Sequence, residues 1–122
     1  LIMQRIYPLG VTYTATALLG EAKFELYFMY KDIKDRKTAK IYLEEALMDY
    51  SKAISMAPSQ EKAEEIELDR DFDLITPADI YTARGNIYSW MNNKEKKACS
   101  DWKVAKNYGD KDAQKNYREF RC

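Results

Sequence analysis

The side chains able to do covalent chemistry are few. Two cysteines, Cys99 and Cys122, stand among 122 residues, and no histidine occurs anywhere in the chain. The missing histidine removes Ser/His/Asp and Cys/His arrangements, imidazole metal sites and the commonest general base together. A nucleophilic thiol would lack its activating partner, and two cysteines alone do not complete a four-ligand zinc site. Cys99 lies ten residues before Gly109 and Cys122 thirteen after it. Antiparallel helices on either side of that glycine would bring the two sulfurs to similar heights. Two readings follow. One is a disulfide stapling the last helix, which implies an oxidising compartment such as the bacterial periplasm or cell envelope. The other is a pair of buried thiols acting as small hydrophobes, with a cytoplasmic location left open.

Carboxylates are the remaining candidates. Asp69, Asp71 and Asp73 open like a calcium loop, but the sixth position is Leu74 where glycine is required, and the twelfth is Ile80 where glutamate belongs. They read as a solvated acidic loop. The pairs Glu44-Glu45 and Glu64-Glu65 diverge by about 100° on a helix and mark no pocket. No catalytic residue, metal site or cofactor is therefore predicted, and a carboxylate-based hydrolase or enzyme accessory domain is the least favoured reading.

The elements that position these residues are helical. A length of 122 residues suits one domain. With only four Gly and three Pro, and with 46% hydrophobic and 33% charged residues, the composition points to an all-α fold. Twenty basic and twenty acidic residues cancel, so no net field favours nucleic acid, and no apolar run is long enough for a membrane span. Leu1 in place of an initiating Met points to a processed protein or an excised fragment.

Pro8 and Gly10 predict an irregular lead-in over residues 1–10. A first helix of about 20 residues then carries two apolar sets. One is Val11, Ala15, Leu18, Ala22, Leu26 and Met29; the other is Tyr13, Ala17, Gly20, Phe24 and Tyr27. Two apolar faces predict two neighbours. Charged residues 31–37 form a connection, and Leu43, Ala46, Leu47, Tyr50, Ala53, Ile54 and Ala57 predict a second helix over about 38–56, ended by Pro58. Residues 58–75 read as an acidic connector: seven acidic residues against Lys62 and Arg70 lie between Glu61 and Asp73. Ser59 is placed to cap a short helix there, with residues 69–75 as loop. Thr76, Pro77 and Asp79 make a helix start close to a capping box. Asn92-Asn93 turns the chain, Ala98, Trp102 and Ala105 share one face, and Gly109 suits a left-handed C-terminal cap. Asp110 then caps a last helix whose inward face is Ala113, Tyr117 and Phe120.

Tandem hairpins call for a search for repeats. Tyr81, Gly85 and Tyr88 alternate large, small and large. The run ALMDYSKAISMAP carries Ala46, Tyr50, Ala53 and Pro58 at the spacing of the second helix of the same unit. This resembles the tetratricopeptide repeat (TPR). The segment RGNIYSWMNNKEKKACSDWKVAKNYGDKDAQKNYREFRC is similar to the terminal repeat and capping helix of many bacterial TPR proteins, where an ACSDW run precedes a short helix ending in Cys. The resemblance covers about residues 40–58 and 76–122. Two departures stand out: Gly85 to Ala98 is one residue longer than usual, and no glycine occurs at the family's distance before Ala46.

The resemblance implies a right-handed α-α superhelix of antiparallel hairpins. The first hairpin spans about 11–57 and the second 76–108, and a capping helix at 110–121 closes the array, so that any further repeats precede Leu1. It also implies a groove lined by Asp79, Thr82, Asn86, Ser89 and Trp90 that takes a protein or peptide partner. Asn86 matches one position of the carboxylate clamp of some TPR co-chaperones, but Thr82 stands where that clamp needs Lys, which argues against it here. Trp90 reads equally as an anchor for a partner or as core, and Trp102 reads as core. The expected function is a non-catalytic interaction module or scaffold. The alternative is a structural homo-oligomer that completes its core across a dimer interface, a reading also suggested by the contrast between the acidic connector and residues 94–122, with nine basic and five acidic side chains.

Overall fold

The structure, a computed structural model, describes the backbone of residues 2–70 and 75–122 and the side chains of residues 13–65 and 75–122. The described residues form six helices and no strand: α1 (Ile2–Asp32), α2 (Arg36–Met56), α3 (Gln60–Arg70), α4 (Pro77–Ser89), α5 (Glu95–Asn107) and α6 (Lys111–Glu119). The all-α expectation holds. Helix α1 packs along α2, α4 along α5, and α6 on α5, while α2 against α4 joins the two hairpins.

Each boundary has a local cause. Lys34, at a positive φ of 66°, turns the chain between α1 and α2, and the Asp35 carboxylate then accepts from the Thr38 amide at 3.1 Å to start α2. At α4, Thr76 and Asp79 form a complete capping box with Pro77 in the first turn. Gly109 ends α5 at φ 96°, and Asp110 caps α6 through the Ala113 amide at 2.9 Å.

Three expectations are corrected. The irregular lead-in over residues 1–10 is helical from Ile2, so α1 runs straight through Pro8 and Gly10. A helical proline forfeits one i→i−4 bond, and propagation from a formed helix adds a bond for each other residue. In the connector the short helix expected after Ser59 forms, with the Ser59 hydroxyl accepting from the Lys62 amide at 3.2 Å, but α3 extends to Arg70, into the expected loop, and Ala63 is fully buried. Gln60, 5% exposed, accepts from the Ala78 amide at 2.8 Å and donates to Glu64, so a polar side chain docks α3 onto the start of α4. The calcium-like aspartates Asp69, Asp71 and Asp73 lie outside the described side chains.

The third correction concerns α1. Tyr13, Ala17, Gly20 and Tyr27 are buried, but Ala15, Leu18, Ala22 and Met29 of the other apolar set face outward. Among the described residues only one of the two faces has a neighbour, namely α2 with a brief touch from α4.

The two hairpins share a packing device. Gly20 of α1 lies under the Tyr50 ring of α2, where an added Cβ would come within 3.0 Å of it, and Gly85 of α4 lies under the Trp102 ring of α5. Gly20 thus stands to Tyr50 as Gly85 stands to Trp102, at a greater distance along the chain. In both hairpins the aspartate preceding that aromatic ring pairs with a cation on the facing helix. Asp49 meets Lys23 at 2.8 Å, and Asp101 meets Arg84 at 2.7 Å. Ala46, Tyr50 and Ala53 in α2 are buried as Ala98, Trp102 and Ala105 are in α5.

Candidate functional site

Helix α4 presents Asp79, Thr82, Asn86 and Ser89 along one side and ends at Trp90, its C-cap. The structure brings all five together in a concave strip built from two adjoining open recesses that share Phe24 and Asn86. Helix α1 forms one wall with Glu21, Phe24 and Phe28. Helix α6 and its lead-in form the other with Asp110, Asp112, Asn116 and Phe120.

The five residues differ in how free they are. Asp79 is exposed, yet its carboxylate accepts from the Thr76 amide at 2.9 Å and the Thr76 hydroxyl at 3.1 Å. Thr82 is buried at 7% exposure with a hydroxyl that has no partner among the described residues. The Asn86 side-chain oxygen accepts from the Trp102 indole at 3.1 Å and the Asn116 amide at 3.0 Å, so this residue ties α4 to α5 and α6. Ser89 donates to the Asn86 carbonyl. Trp90 is 47% exposed, in a T-shaped contact with Phe28 at 5.1 Å between centroids and with the Lys31 ammonium 4.1 Å from its ring centre. Trp90 is therefore half wall and half open surface, whereas Trp102, at 1% exposure, is core.

The strip has a chemical gradient. Toward the start of α4 its lining carries Glu21, Asp79, Asp110 and Asp112 and no cation. Toward the end of α4 it carries Phe24, Phe28, Trp90 and Phe120. Phe120, expected on the inward face of α6, is its C-cap and half exposed, its ring tilted against Trp102 at 4.8 Å between centroids.

Elsewhere on α4 a polar clamp that sequence reasoning did not single out joins three helices. Arg84 donates two bonds of 2.7 Å to the two oxygens of Asp101 and a third of 3.3 Å to Ser51, joining α2, α4 and α5. Its guanidinium also stands 5.6 and 5.8 Å from the Tyr81 and Tyr88 rings. The bond to Asp101 holds Arg84 in its charged form against the cost of burial. The same effect from Asp49 raises Lys23, and burial raises the Tyr50 phenol. These shifted groups make interhelical contacts.

Cys99 and Cys122 lie at disulfide-bonding distance, Cα atoms 5.6 Å apart, linking α5 to the residues after α6. Phe28 and Asn116 also belong to the strip and were not picked out beforehand. The i, i+4 spacing of Phe24 and Phe28 is the signal that would have found the first. No described helix is long and apolar enough to cross a membrane. No family model, curated protein or solved structure matches this chain.

Proposed function

We propose that this chain is a non-catalytic, TPR-like interaction module whose concave strip on α4 binds a protein segment. The observation that carries the reading is the convergence of Asp79, Thr82, Asn86, Ser89 and Trp90 on one open strip, flanked by α1 and α6. Its floor is preorganised by Asn86 and Trp102, which lowers the ordering cost of binding. Helix α6 acts as the cap of the array. The cysteine pair suits an oxidising location such as the periplasm. The carboxylates at one end and aromatic rings at the other suit a segment with a basic residue followed by an aromatic anchor.

Selection from a displayed random peptide library tests this. The expected result is a consensus combining basic and aromatic residues, whose binding falls about tenfold or more in Trp90→Ala and Ser89→Arg variants of unchanged helicity. Peptides that bind both variants as well as the parent would contradict it.

A second reading, a homo-oligomer, is favoured by the outward apolar side of the first hairpin: Leu18, Met29, Ile33, Ile41 and Met48 are each at least half exposed. Sedimentation over a range of concentrations decides it, and a monomer at every concentration would exclude it.

A further inference from the structure

At the turn end of the helical stack, away from the acidic half of the strip, a separate recess opens between the end of α1, the start of α2 and the α4–α5 turn. Its base is apolar: Tyr27, Ala39 and Leu43 are buried, and Met91 is half-buried. Its rim carries Lys31, Arg36, Lys40 and Lys94 against the single carboxylate of Glu44. Among the described residues none of these four cations has an ion-pair partner. The chain as a whole is neutral, so this concentration of positive charge is local.

We propose that this recess is a second docking site, for an acidic segment of a partner protein that inserts one aliphatic side chain between Leu43 and Met91 and pairs flanking carboxylates with Arg36, Lys40 and Lys94. The charge of the rim selects the sign of the ligand, and the apolar base selects an anchor over a bare anion. A stacked nucleic acid base fits less well. Lys31 already lies over the Trp90 ring, 4.1 Å from its centre, so a base stacking there would have to displace the ammonium. The recess is distinct from the strip in charge and in most of its lining, and Trp90 alone borders both.

The test is fluorescence anisotropy of a labelled octapeptide with one leucine flanked by glutamates. Its controls are a counterpart with lysines replacing the glutamates and a single-stranded oligothymidine of similar length. The expected result is saturable binding of the acidic peptide that weakens several-fold between about 0.05 M and about 0.3 M salt. The lysine peptide should show none. The double variant Arg36→Glu, Lys40→Glu should bind about tenfold or more weakly. Both residues are exposed, so helicity and melting temperature should stay at parental values. Ser89→Arg, which obstructs the strip, should leave this binding intact, so failure here is separable from failure of the strip. Equal binding of the two peptides, an unaffected double variant, or an oligothymidine that binds more tightly and displaces the peptide would each overturn the proposal. Sedimentation adds one more outcome: self-association abolished by the double variant would assign the recess to a second copy and overturn the separate partner.

Discussion

Two glycines do the same job under different clearances, and the difference decides the sign of a mutation. An alanine Cβ at position 85 would stand 2.5 Å from the Trp102 indole nitrogen and 2.6 Å from the neighbouring ring carbon. Trp102 cannot withdraw, because it is fully buried and held by Asn86. Gly85→Ala should therefore destabilise by about 2 kcal/mol, the overpacking strain exceeding the helix-propensity gain of about 1 kcal/mol. At position 20 the nearest ring atom would be 3.0 Å away, a strain of the same order as the propensity gain, and Gly20→Ala should lie within about 1 kcal/mol of the parent. Urea midpoints of the two variants check this, and equal losses would refute it. The same scale contains the Arg84–Asp101 pair, in which the carboxylate is the more buried partner. Arg84→Ala would leave Asp101 charged and unpaired at the junction of α2, α4 and α5, and should cost about 3 kcal/mol. An Arg84→Ala protein as stable as the parent would show the pair to be dispensable.

Helix α6 is the element most dependent on a covalent partner. It has nine residues and one fully buried side chain, Ala113, with Tyr117 and Phe120 making partial contacts. A helix that short is marginal on its own. The link from Cys99 to Cys122 closes a separation of 23 residues, for which chain-entropy reasoning gives about 3 kcal/mol. Reduction should melt α6 before the rest, strip Phe120 from Trp102 and shift tryptophan emission to the red. An unchanged emission maximum and unchanged amide exchange in α6 would contradict this. Elements of this kind were legible where a local rule decides them. The Thr76–Asp79 box, the Asn92-Asn93 turn and the Gly109 cap each depend on a few adjacent residues, and each stands where expected. What depends on distant partners was not legible. Gln60 looks like any polar residue until Ala78 needs an acceptor, Arg84 like a surface cation until Asp101 meets it, and the two apolar sets of α1 are equivalent until α2 covers one. The five strip residues came from the resemblance to a helical repeat and not from any local rule, and their walls from α1 and α6 required the tertiary packing.

For the whole molecule, the interhelical ion pairs and buried phenol predict how stability responds to pH. The hydrogen bond from Asp49 raises the Lys23 ammonium, and burial raises the Tyr50 hydroxyl. Both hold their protons more tightly folded than unfolded. Their contributions are complete below about pH 10, the ordinary range of these groups, and are lost as pH rises through the folded values. The urea midpoint should fall as pH rises from about 10 to about 12, and Tyr50→Phe should fall less steeply. A midpoint that does not change over that interval would contradict the assignment. With that framework intact at neutral pH, the proposed role of the molecule is to offer the α4 strip to a protein segment. The most direct measurement is an amide chemical-shift map recorded while titrating a peptide selected for binding. Perturbations should concentrate on Phe24, Phe28, Asp79, Ser89 and Trp90. A map that leaves those residues unmoved and lights the outer face of α1 would contradict the account.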